Sequence, residues 1–389
     1  MIEPAAYMPG PEMNRLQWRA LWIGVAVLGV CILGAFRSPA QFFHSYLLAF
    51  LFWTGMALGC LAIAMLHHLT GGSWGMVIRR LLESGSRTLP LMALLFVPLF
   101  FGRHWIYSWT RPMNLPRQQL EYLDVRFFLT RAVLYFVVWL ALAHWLGKWS
   151  HEQDRTGDRR LLRKMQWLSG PGLVLYGLTG TFAAVDWMMS LEPRWYSSIF
   201  GLLIIGGQVL SAMAFVIVVL VLLTAYQPLG RVLQPRHMHN LGKLLLAFVM
   251  VWAYLSFSQL LIMWSGNLPE EIPWYLHRLE GGWRWVGVLL ILFHFALPFF
   301  LLLSRDLKRT GPKLALLAML VVVMRMVDLF WLTAPEFSPG RFHIHWMDIA
   351  APVGMGGVWL AVFAWHLKTR PLLPVGDPYL AVVLEGEHE

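Results

Sequence analysis

The chain repeats one pattern: a long run of apolar or small residues, then a short polar connection. A bilayer core takes about 20 residues of helix, so each run predicts a spanning α-helix. Ten runs are legible, at 18 to 36, 42 to 66, 88 to 106, 126 to 147, 168 to 189, 197 to 225, 241 to 265, 282 to 304, 313 to 333 and 346 to 367. The third and ninth are the least uniform, because Arg103 and Arg325 interrupt them. Arg103 is close enough to an end to snorkel, whereas Arg325 needs a partner. No connection is long enough for a soluble domain. The chain therefore reads as one transmembrane domain of ten helices, 18–367, between an N-terminal segment, 1–17, and a C-terminal tail, 368–389.

Composition supports an all-α integral membrane protein. Of 389 residues, 58% are hydrophobic and 13% charged, which exceeds what a soluble core needs. The first residues carry prolines and acids where a signal peptide has a basic region, so the N-terminus is expected to be retained. Cys31 and Cys60 fall inside apolar runs, which leaves no disulfide framework and no CxxC metal or CxxCH haem-attachment motif. The net charge of +10 sorts by side, with a two-to-one excess of Lys and Arg on the even-numbered connections and at the ends. By the positive-inside rule both termini are cytoplasmic. The basic excess then reads as orientation and anionic-lipid contact, with no nucleic-acid partner.

The outer connections differ in kind. VDWMMSLEPRWYSS (185–198), GNLPEEIPWYLHRLEGGWRW (266–285) and TAPEFSPGRFHIHWMD (333–348) are rich in Pro, Trp and acid, including Glu270 and Glu271. Trp and Tyr suit the headgroup level, and such a surface suits a docking protein.

A few polar residues enter the apolar runs. Arg325 and Asp328 share one helical face at i, i+3, which predicts mutual neutralisation toward the bundle interior. The pair reads either as a structural contact or as a proton-transfer or ligand-binding pair. Asp186, about one turn inside the outer end of helix five, reads as a hydrated interfacial carboxylate or as a proton acceptor or quinone contact, with Thr179 two turns inward. Gln259, sharing a face with Ser256, and Gln208 read as helix-joining amides, with Gln259 also a weak cofactor contact. His294 is the one deep histidine and a weak ligand candidate. Di-haem cytochromes need histidine pairs at matched depth, and His44, His144 and His366 all lie near aqueous boundaries. No metal site is expected. A secondary transporter would show broken helices in two repeats; Pro98, Pro298 and Pro352 interrupt runs without any repeat that aligns.

Three segments, TFAAVDWMMSLEPRWYSSIFG (181–201), WAYLSFSQLLIMWSGNLPEEIPWYLHRLEGGW (252–283) and HFALPFFLLLSRDLKR (294–309), resemble the ActF-type subunit of bacterial alternative complex III. The ten-span layout with cytoplasmic termini also matches, so the resemblance covers nearly the whole length. It implies the fold of NrfD or polysulfide-reductase membrane subunits: two four-helix bundles, helices two to five and six to nine, flanked by helices one and ten. It further implies a place in the bacterial inner membrane within a quinol:cytochrome c or oxidase respiratory complex. No haem or other redox cofactor would be bound by this chain, whereas quinone or quinol contact is open to it. The implied partners are a paralogous membrane subunit and periplasmic iron-sulfur and multihaem cytochrome c subunits. On this reading Asp328, Arg325 and Asp186 are the candidate proton-transfer or quinone-contact groups, with Gln259 and His294 as weaker binding candidates. The alternatives are a purely structural anchor for periplasmic redox subunits and a secondary transporter.

Overall fold

The computed structural model describes residues 8, 10, 12–224, 229–269, 271–338, 340–378 and 380, the side chains of 231 and 232 excepted. Glu270 therefore lies outside the described residues. Among the described residues there is no strand, and ten helices are long and apolar enough to cross a membrane. They are α1 (Glu12–Ala35), α2 (Pro39–Thr70), α3 (Arg79–Ile106), α4 (Val125–Thr156), α5 (Arg159–Trp187), α6 (Phe200–Thr224), α7 (Pro235–Gly266), α8 (Trp283–Leu303), α9 (Gly311–Phe337) and α10 (Trp346–Leu367).

Side-chain contacts define two ends of the bundle. Lys368 Nζ donates to Asn14 Oδ1 at 2.7 Å, which sets the start of α1 beside the end of α10 at what we term the near end. At the far end, Gln41 and Ser45 in the first turns of α2 donate to Asp348 in the first turn of α10, at 2.9 and 2.6 Å.

Several helices outrun their apolar stretches. α2, α4 and α7 each have 32 residues, about 48 Å at 1.5 Å per residue. Hydropathy registers only the part matched to hydrocarbon, and the charged ends extend past it. α3 and α5 each begin nine residues before their predicted starts, at Arg79 against 88 and at Arg159 against 168. In α3 a helix at Arg79–Ser86 and a turn at Arg87 and Thr88 precede the apolar segment, Leu89–Ile106. The charge pattern assigns RRLLESGSR to a surface loop, but Arg79 and Arg80 are buried, so they do not contribute to a basic surface.

α2 and α6 are apolar nearly all round, and such helices belong in the interior. α2 packs on α3, α5, α6 and α10, while α6 packs on α2, α5, α7 and α9; α4 lies against α5. Helices α2–α5 and α6–α9 thus form two bundles joined along α2 and α6, with α10 on α2 and α1 outermost on α10. Gly59 makes the central contact close, since a Cβ there would lie 2.2 Å from the carbonyl oxygen of Gln208. The α1–α10 seam is also a close backbone contact. A Cβ on Gly24 would fall 2.6 Å from the amide nitrogen of Val358, and one on Gly357 would fall 2.6 Å from Gly24 Cα. Lipid supplies no hydrophobic drive between helices, so small residues that allow close contact hold such a seam. The outward side of α1, with Trp22, Ile23 and Leu33, is exposed, while Cys31 is buried.

Candidate functional site

Arg325 and Asp328 meet inside the second bundle, as their spacing on α9 predicts. Arg325 NH1 donates to Asp328 Oδ2, and Trp252 Nε1 of α7 donates to the same oxygen at 3.1 Å. Both charges are buried, at 2% and 4% exposure, which is tolerable in a low-dielectric interior only because they are paired. Gly207 of α6 makes the room: a Cβ there would lie 2.1 Å from the guanidinium carbon of Arg325.

His294 of α8 stands edge-on to Trp252, with ring centroids 4.2 Å apart. It sits in a π-helical turn, Ile291–Ala296. Pro298 gives the local reason, because it has no N–H to donate to the carbonyl four residues earlier, that of His294 itself. Neither ring nitrogen of His294 has a hydrogen-bond partner among the described residues.

Two cavities of about 20 Å³ each lie close by, and of the pair it is Arg325 that reaches the first of them. Arg325, Gln208 and Ser211 line the first, and Thr54, Gln208 and Trp187 line the second; Gly55 and Gln208 are common to both. Each has room for one water, and polar groups are present to hold it. Gln208 Oε1 accepts from the Tyr176 hydroxyl at 2.8 Å, while Thr54 Oγ1 is buried without a partner among the described residues. Polar atoms thus continue from Arg325, the partner of Asp328 on α9, past Gln208 on α6 to Thr54 on α2, across the seam between the bundles.

Asp186 belongs to a different site. It is fully buried rather than hydrated at the interface, which rules out the first of its two sequence readings. Arg131 of α4 clamps it through two bonds, Nε to Oδ2 at 2.9 Å and NH2 to Oδ1 at 2.8 Å, and Tyr135 donates to Oδ2 at 2.7 Å. The Arg131 guanidinium lies 3.9 Å from the Tyr122 ring centroid and 4.3 Å from that of Phe127. Burial, and next the Asp186 charge, push the Tyr122 hydroxyl up. Thr179 accepts from Trp139 Nε1 at 2.8 Å and donates to the Leu175 carbonyl. A mostly apolar groove of about 210 Å³ opens beside this cluster, lined in part by Tyr122, Met189, Pro193 and Tyr196. Gln259 is buried in α7 beside Tyr275 of the Ile272–Leu279 helix and joins neither pair.

Two further polar clusters lie at the ends. At the near end Arg79 bonds Glu83, Asp377 and Gln153 at 2.9, 2.8 and 2.9 Å, and Arg80 bonds Glu83 and Asp154. Arg370 donates to the Gly147 carbonyl at 3.2 Å, and burial lowers its pKa to about 10. This network ties the start of α3 and the end of α4 to the segment after α10. At the far end Arg278 donates to Glu336 at 2.8 Å and to the Leu332 carbonyl at 2.7 Å. Its guanidinium lies 3.5 Å from the Trp274 ring centroid, and Trp274 stacks on Trp195 at 4.5 Å. Glu192 adjoins Glu336, and burial together with that second carboxylate raises its pKa to about 7.

The charge pattern groups Arg131 and Arg278 with exposed outer connections, and nothing in it pairs them with Asp186 and Glu336. Those contacts arise between elements far apart in sequence. Arg79 and Glu83 did carry a signal, since opposite charges at i, i+4 on a helix pair directly.

Chemically, the second bundle holds a buried carboxylate with one cationic partner, a neighbouring imidazole and water-sized voids. Comparison of the chain with protein families gives no match, and comparison with curated proteins gives none.

Proposed function

We propose that this chain is a membrane subunit of a quinol-oxidising respiratory complex of the alternative complex III type, in which it moves protons while partner subunits carry electrons. The reading joins the resemblance of three segments to one observation, the buried Arg325–Asp328 pair whose Arg325 lines the first of two adjoining water-sized cavities. A buried carboxylate whose arginine partner borders a hydration site can exchange a proton once that counter-ion shifts, and intramembrane ionisable residues commonly serve this purpose. Voids of this size admit water, not a quinone ring.

Quinone contact is the second reading, favoured by the apolar groove beside Arg131, Asp186 and Tyr122. It predicts that a bulky Met189→Trp change lowers quinol turnover at limiting quinol, while Asp328→Asn acts on proton movement. A purely structural anchor predicts neither effect.

Membership of the complex is tested by gentle detergent extraction from bacterial inner membranes. Iron-sulfur and multihaem c-type proteins and a paralogous membrane subunit are expected to co-purify, with no b-type spectrum from this chain. A solitary chain with solute-uptake activity would contradict the reading. In the purified complex, Arg325→Ala is expected to lower quinol-linked proton release at least tenfold with the subunits still assembled.

A further inference from the structure

Glu192, His277 and Glu336 come from three separate segments: the α5–α6 connection, the Ile272–Leu279 helix and the last turn of α9. One ligand atom from each lies within 4.8 Å of the other two. Atoms that close can all lie about 2.8 Å from a common point, and shortening this to zinc bond lengths of about 2.0–2.2 Å takes less than an ångström of side-chain movement.

The surroundings are built to hold this arrangement. Arg278 takes Glu336 Oε1. Trp274 lies beneath Arg278 and stacks at 9° on Trp195, three residues after Glu192, which fixes the two connections against each other. Glu192 Oε2 is cut off from solvent and has no donor in hydrogen-bond geometry among the described residues. Two carboxylates face one guanidinium, so a negative charge is left over at a half-buried position. A proton can neutralise it, but a proton gives the adjacent imidazole no role.

We infer that Glu192, His277 and Glu336 form a binding site for a divalent transition-metal ion such as Zn²⁺, with Arg278 orienting Glu336 from behind. Two carboxylates and one imidazole are a donor set that Zn²⁺ accepts, with a fourth position left for water or a partner's group. The ion clips the far-end connections of the two bundles together, and a supporting group such as Arg278 is commonly worth 10–100-fold in affinity.

The test uses the full chain purified in detergent, stripped with a chelator, loaded with Zn²⁺ and desalted before elemental analysis, with Co²⁺ absorption as a second probe. One ion per chain is expected, with binding weakened at least tenfold in both His277→Ala and Glu192→Gln. His277 is half-buried, so His277→Ala is expected to elute as the native species, and Glu192→Gln keeps the side-chain shape. The site is overturned if the wild-type chain retains no stoichiometric metal, which leaves a shared proton as the occupant. Retention of the ion by both variants, which places it on other histidines, also overturns it.

Discussion

Asp328 illustrates how a single residue's partners decide its chemistry. Its carboxylate is shared by Arg325 and Trp252, so removing either charge leaves the other buried and uncompensated. Arg325→Ala is therefore expected to cost about 3–5 kcal/mol, read as a lower thermal midpoint in detergent. Replacing both residues with leucine removes the desolvation cost together with the attraction. That double variant is expected to recover most of the stability while staying inactive in proton movement, which separates folding from function. Gly207 makes a quieter prediction. Gly207→Ala drives a methyl group into the guanidinium, and a displacement costing about 1–3 kcal/mol is expected. An unchanged midpoint in Gly207→Ala would show that Arg325 does not lie against α6.

At the scale of helices, much of the fold was legible because lipid imposes a length on every spanning segment. Ten apolar runs became ten helices. What the sequence hid were the parts stabilised by contacts instead of by solvent, such as the Arg79–Ser86 segment, whose charges are neutralised by Glu83, Asp154 and Asp377. The Arg325–Asp328 pair could be anticipated because both residues share one helix. Arg131–Asp186 could not, because it joins α4 to α5 across 55 residues of sequence. The α1–α10 seam offers a test at this scale. Gly357→Val is expected to weaken it by about 1–3 kcal/mol and expose α1 to proteolysis. Gly29→Val is the control, since a Cβ at Gly29 meets nothing within 4 Å, and it should behave as wild type.

Across the whole molecule the polar clusters divide the labour. The near-end network joins α3, α4 and the segment after α10, so Glu83→Gln, which strips a shared carboxylate from Arg79 and Arg80, is expected to lower stability by about 3–5 kcal/mol without affecting proton movement in what still folds. The seam between the bundles carries the two water-sized cavities, and it is there that the proposed proton route crosses from the Arg325–Asp328 pair past Gln208 to Thr54. The most direct measurement is the proton-to-electron ratio of the reconstituted complex in liposomes, followed with a pH-sensitive dye during quinol oxidation. Asp328→Asn, which keeps the shape and removes the titrating group, should lower that ratio while electron transfer continues in an uncoupled membrane. A wild-type ratio in Asp328→Asn would contradict the account.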